Sequence, residues 1–106
     1  MDNKTFMVER EAFHADLTKL FDIKREDYDL DEDRFGHFKR SAALDSCTPA
    51  EALISMATKH EISVHDMVKA MANGKTYTRK QWMAKIGDVR NYCDLLWGML
   101  VAEGDI

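Results

Sequence analysis

Between Thr78 and Glu103 the chain reads TRKQWMAKIGDVRNYCDLLWGMLVAE, its longest uninterrupted periodic segment. Trp82, Ile86, Val89, Cys93, Leu96, Leu100 and Val101 recur at three- and four-residue steps, the spacing of one apolar stripe along an α-helix. The spacing predicts a core-facing helix around which the other elements pack. Thr78 suits the N-cap, Gln81 three residues later completes a capping box, and Gly104 stands where a left-handed C-terminal cap belongs. A second line, Gln81, Lys85, Asp88, Tyr92, Leu95 and Met99, begins polar and turns apolar. Lys85, Asp88 and Tyr92 are neighbours on that line, and charged groups at the edge of a core either pair or bind something.

The 106 residues suffice for one hydrophobic core, so a single domain over 1–106 is expected. One proline, five glycines and no alternating apolar run of useful length make the chain all-α. A net charge of -4 gives neither the positive field that holds a nucleic-acid backbone nor the dense negative surface of a DNA mimic, so nucleic acid is not an expected partner. Cys47 and Cys93 lie far apart, and neither a secretory signal nor a membrane-length apolar run is evident. A reduced, cytoplasmic setting and no membrane partner are therefore expected.

Along the chain, a first helix is expected over roughly Thr5 to Phe21, with Phe6, Phe13, Leu17, Leu20 and Phe21 on one side. The acidic stretch KREDYDLDEDRF, residues 24–35, follows as a solvated turn in which Asp31 or Asp33 caps the next helix. Its alternating aspartates suggest a calcium loop, but an EF-hand needs a glycine at the sixth position and a glutamate at the twelfth. Counted from Asp29 those positions hold Arg34 and Arg40, and counted from Asp27 they hold Glu32 and Phe38. A second helix, Glu32 to Leu44, should turn Phe35, Phe38, Ala42 and Ala43 inward. Thr48-Pro49-Ala50-Glu51 is the clearest helix start in the chain, with a Thr N-cap, Pro at the first position and Glu closing the capping box. The third helix should run to about Asn73, with Leu53, Met56, Ala57, His60, Val64, Met67, Val68 and Met71 inward and Gly74 ending it.

Four polar groups lie beside the apolar stripes: Lys24 with Asp27 and Tyr28, Arg34 with Lys39, Lys59 with His60 and Asp66, and Lys85 with Asp88 and Asn91. In a helical bundle such lines can converge on one interhelical cleft. Lysines and arginines near a few carboxylates, with Tyr28 and Tyr92 available for stacking, suit a phosphorylated aromatic ligand, that is, a nucleotide. The plainer alternative is that each group is a surface ion pair or a snorkelling side chain. His60 and His65, five residues apart, do not share a metal on one helix face, and the cysteines lack zinc spacing. His60, on the apolar side, fits a hydrogen-bonded core histidine. No phosphate-binding glycine loop and no serine or cysteine paired with a base is present.

Three segments, KREDYDLDEDRFGHFK, TPAEALISMATKH with Ser63 and Asp66 after it, and KIGDVRNYCDLL, carry the patterns Lys-x-x-Asp-Tyr, Arg-Phe-x-x-Phe-Lys, Met-x-x-Lys-His and Lys-Ile-Gly-Asp-x-x-Asn-Tyr. In order and spacing, over residues 20–103, these resemble small phage-encoded relatives of the MazG-like all-α nucleoside triphosphate pyrophosphohydrolases and of nucleotide-modification-associated domains. The resemblance implies a four-helix bundle completed by oligomerisation of identical chains, acting on a nucleotide with Mg²⁺. In the catalytic families, glutamate and aspartate clusters on two helices hold the metal on the phosphates, so that water attacks the α-β linkage. Asp88 matches the aspartate of the second cluster. Ala84 stands where that cluster has its glutamate, and the first Glu-x-x-Glu cluster has no counterpart, which weakens hydrolysis more than ligand binding.

The working expectation is a phage or prophage protein in the host cytoplasm. Lys24, Arg34, Lys39 and Lys59 would contact phosphate, with His60, Lys85 and Asn91 completing the ligand site. Asp27 and Asp88 would hold Mg²⁺ or orient those lysines, as the catalytic and metal residues, while Tyr28 and Tyr92 stack on the base. The rival is a non-catalytic host-takeover or anti-defence protein that binds a host protein or sequesters a signalling nucleotide. A structural virion component is a third alternative.

Overall fold

A computed structural model describes the backbone of residues 1–28 and 33–106 and the side chains of residues 1–21 and 33–106. Among these every regular element is helical: α1 (Asn3–Tyr28), α2 (Gly36–Asp45), α3 (Pro49–Ala72) and α4 (Arg79–Ala102). The chain divides into two compact units, 1–32 and 33–106.

The first unit contains α1. Asp2 caps it, its carboxylate accepting from the Thr5 N–H at 2.7 Å; the bond to Thr5 holds the Asp2 carboxyl below its usual range. The helix continues past Phe21, where the sequence suggested a turn, because nothing between Phe21 and Tyr28 breaks it and the charged residues there are good helix formers. Phe6, expected inward, is exposed.

The second unit is built on α3, which packs against both α2 and α4. The organising helix is therefore α3, while α4 is one of its two neighbours. Both long helices start as their capping residues require. The Thr48 hydroxyl accepts from the Glu51 N–H and the Glu51 carboxylate accepts from the Thr48 N–H, each at 3.1 Å. Thr78 and Gln81 repeat the box at 3.1 and 2.9 Å. Each box satisfies two backbone donors that a helix start leaves without partners. Beyond α3, Gly74 adopts φ 96°, and beyond α4 Gly104 adopts φ 77°, the left-handed turns expected at these stops.

Phe35, not an aspartate, is the N-cap of α2, and no side chain caps this helix; Asp33 accepts from the Phe35 N–H at 3.0 Å just ahead of it, and Asp31 lies outside the described residues. Ala43, expected inward, is exposed, whereas Phe38 and Ala42 are buried. The core of this unit is Phe38, Leu53 and Met99, with Phe35, Ala50, Met56, Tyr92, Leu95 and Leu96 packed around it. Burying side chains of this size contributes on the order of 1.5–3 kcal/mol each.

The inward face of α4 is not the one the stripe suggested. Met99 is 1% exposed, whereas Ile86 is 42% and Val101 53% exposed, and Cys93 is exposed as well. The line that begins polar is the one that packs. It can do so because Asp88 pairs with His60 of α3, Tyr92 stacks on the same imidazole, both stay half-buried, and no fully buried side-chain nitrogen or oxygen among the described residues lacks a hydrogen-bond partner. On α3, Val68 and Met71 are likewise exposed rather than inward. Gly98 leaves room for the ring of Phe35, the residue before α2: a Cβ added there would lie 3.3 Å from its Cζ.

Candidate functional site

Three of the residues singled out in the sequence meet where α3 crosses α4. His60, in the middle of α3, faces Asp88 of α4 with Nδ1 to Oδ2 at 3.4 Å. One turn further along α4, the Tyr92 ring stacks on His60 at 5.0 Å between centroids and 30° between planes. The edge of Phe38 closes on Tyr92 from α2, at 6.3 Å and 75°. The helical repeat explains the arrangement on α4, because Asp88 and Tyr92, four residues apart, project side by side. His60 extends from the same side of α3 as buried Leu53, Ala57 and Met67, so the burial of those residues points the imidazole into the seam.

The electrostatics follow from burial. All three residues are half-buried. Removal from water, and then the nearby Asp88 carboxylate, push the Tyr92 phenol above its ordinary value. Tyr92 is therefore a neutral phenol at physiological pH. With Nδ1 of His60 turned toward a carboxylate, Nε2 is the ring atom that can meet a ligand, as donor or acceptor according to protonation. The Ser63 hydroxyl donates to the Lys59 carbonyl at 3.1 Å, which anchors it to its own helix. The assembly suits recognition of an anionic or hydrogen-bonding group better than nucleophilic chemistry.

Other expected site residues fall elsewhere. Lys39 Nζ contacts Asp33 Oδ2 at 2.7 Å, an exposed pair that braces the α2 start. Lys39, and then the Phe35 N–H, hold the Asp33 carboxyl below its usual range. Arg34 and Lys59 are exposed; Lys85, also exposed, lies one turn before Asp88, and Asn91 is half-buried on the neighbouring side. Lys24, Asp27 and Tyr28 lie outside the residues whose side chains are described. Among the described residues, no group of three or more His, Cys, Asp or Glu side chains is placed to hold a metal ion. Nor, among them, is any helix long and apolar enough to cross a membrane.

The sequence did not mark Phe38 as the ring that closes on Tyr92, nor a second feature between the same two helices. There, Val64 of α3 and Ile86 and Val89 of α4 form an apolar groove of about 270 Å³, edged by Glu61, His65 and Arg90. The signal for it lay in the three- and four-residue steps of α4, which continue where no helix of this unit covers them. No protein-family model, curated protein or solved structure matches the chain.

Proposed function

We propose that this chain binds a nucleotide-like phosphate compound at the seam where His60, Asp88 and Tyr92 meet. The convergence of those three side chains from two helices supports this reading. Asp88 orients the imidazole, His60 offers Nε2 to a phosphate oxygen, and the exposed cations Lys59 and Lys85 can reach the same charge. Asn91, half-buried on the neighbouring side of α4, would add a hydrogen-bonding side chain, and a MazG-like bundle formed by identical chains, in a protein of phage origin, belongs to the same proposal.

The proposal is binding without hydrolysis. Mg²⁺ takes about six oxygen ligands in octahedral geometry. The described donors here are one carboxylate facing an imidazole, with Ala84 one turn earlier. By themselves these donors fall short of the ligands Mg²⁺ takes; Asp27, the other expected metal ligand, lies outside the residues whose side chains are described. A panel of nucleoside mono-, di- and triphosphates, with and without Mg²⁺, tests the reading by isothermal calorimetry. At least one should bind, with affinity falling about tenfold or more in His60→Gln and Asp88→Asn, and pyrophosphate release should stay at background. Should no nucleotide bind, or should both variants bind as the unaltered chain does, the three residues merely brace the seam.

A second reading, a protein that acts by engaging a partner protein, is favoured by a separate observation. On α4, Ile86, Cys93, Trp97 and Val101 present apolar surface to solvent, and contiguous exposed patches of this kind mark interaction sites.

A further inference from the structure

The net charge of -4 is unevenly distributed along the chain. Between Asp66 and Asp88 lie 21 residues with five cations, Lys69, Lys75, Arg79, Lys80 and Lys85, and no carboxylate, whereas the other 85 residues carry ten cations and nineteen carboxylates. The stretch comprises the end of α3, the connection 73–78 and the start of α4, so the fold gathers this positive charge at one end of the second unit. Lys69 stands in the last turn of α3, Lys75 in the connection and Lys80 in the first turn of α4, all three exposed. Arg79 is already engaged within the molecule and Lys85 borders the His60 seam, so these three lysines are the ones that define the tip. Two aromatic side chains stand among them. The Tyr77 and Trp82 rings meet edge to face at 5.4 Å and 70°, both partly exposed, and Lys75 Nζ lies 5.1 Å from the centre of the Tyr77 ring.

We propose that this tip binds single-stranded nucleic acid, the lysines meeting backbone phosphates and the aromatic pair stacking on unpaired bases. Each nucleotide offers an anion and a flat ring close together, and the contact of Lys75 with Tyr77 sets a cation beside a ring in the complementary way. The overall charge of -4 does not oppose this. Exposed charges farther apart than a Debye length, about 8 Å at physiological salt, are largely screened, so the local cluster sets the field that a strand meets. A single strand is favoured over a duplex because stacking on side chains requires bases free of their own helix. A lipid surface would call for apolar side chains able to enter it, and residues 73–81, NGKTYTRKQ, include no Ala, Val, Ile, Leu or Met. An acidic protein segment would satisfy the lysines and leave the rings without a partner. The tip shares no residue with the seam of His60, Asp88 and Tyr92.

A labelled single strand of about twelve nucleotides, within the usual span of such sites, is prepared as DNA and as RNA and titrated with the full chain by fluorescence anisotropy. At least one form should bind, the tighter naming the sugar. Its log K should fall against log salt with a slope of about -2, from about -0.7 for each of three phosphate contacts. The double variant Lys75→Gln/Lys80→Gln should bring the slope to about -0.7 and lower affinity about 25-fold at about 0.1 M salt. Tyr77→Ala, with its helicity checked by circular dichroism, should weaken binding about fivefold or more and leave the slope unchanged. Absence of binding at about 0.05 M salt, a slope unmoved by the lysine variant, or an affinity unmoved by Tyr77→Ala overturns the proposal. So does a duplex of the same length bound as tightly as the single strand. Competition by polyglutamate as effective as that of the unlabelled strand gives the tip to an acidic protein. Tighter binding to phosphatidylserine vesicles than to either strand gives it to a lipid surface, and each of these two results overturns the assignment to nucleic acid.

Discussion

Replacing Met99 by alanine, and Ile86 by alanine in a parallel variant, decides which side of α4 faces inward. Met99 is 1% exposed and packs with Phe38 and Leu53. Truncation to alanine exchanges on the order of 100 Å² of buried apolar surface, about 2.5 kcal/mol at 25 cal/mol per Å². The cavity left in a core that relaxes incompletely adds about 1 kcal/mol, so about 3–4 kcal/mol is expected in all. Ile86 gives up a smaller buried area and leaves no sealed cavity, because the groove beside it is open, so about 1 kcal/mol is expected. Urea unfolding followed by far-ultraviolet circular dichroism measures both losses, and an unchanged slope against denaturant keeps the comparison within one unfolding transition. An Ile86→Ala cost equal to or greater than that of Met99→Ala would refute the packing of α4 described above. It would restore the stripe of Ile86, Cys93 and Val101 as the buried face.

Thr78→Ala removes the hydroxyl that accepts from the Gln81 N–H; it should cost about 1 kcal/mol, read as a fall in Tm of about 4–8 °C. The Tyr92 phenol, raised above its ordinary 10.0 by burial and by Asp88, is favoured as the neutral form in the folded chain. The stability linked to it is complete below about pH 10 and is lost as pH rises through the higher folded-state value. Thermal midpoints measured upward from pH 9 should therefore decline more steeply in the unaltered chain than in Tyr92→Phe, and equal slopes would contradict this. The nucleotide panel described above supplies a further expected outcome.

What could be seen in the sequence was what depends on residues close together along it. Thr48 with Glu51 and Thr78 with Gln81 are complete within four residues, and both helices begin where these boxes place them. The end of α1 was harder, because the charged residues after Phe21 suit a solvated turn and a helix equally, and only a breaker would have separated the two. The inward face of α4 was misjudged for a different reason. Its apolar residues extend over much of the circumference, and a polar residue is ordinarily evidence against burial. Asp88 and Tyr92 are tolerated at the seam because His60 lies across from them, and a partner on another helix leaves no trace in local spacing. The spacing makes Asp88 and Tyr92 neighbours on one helix and allows the group of His60 to share a cleft with them; that the imidazole meets both could not be read from either helix alone.

Gly98 has a bearing on that outcome. A glycine inside a helix costs about 1 kcal/mol relative to alanine, yet here its bare backbone makes a notch against which the Phe35 ring rests. Turning α4 about its axis by one residue, roughly 100°, would drive Trp97 or Met99 into that ring. The missing side chain thus acts as an angular key: of two oily sides that could face α3, it admits the one bearing Met99 and turns the other toward whatever the molecule meets outside itself.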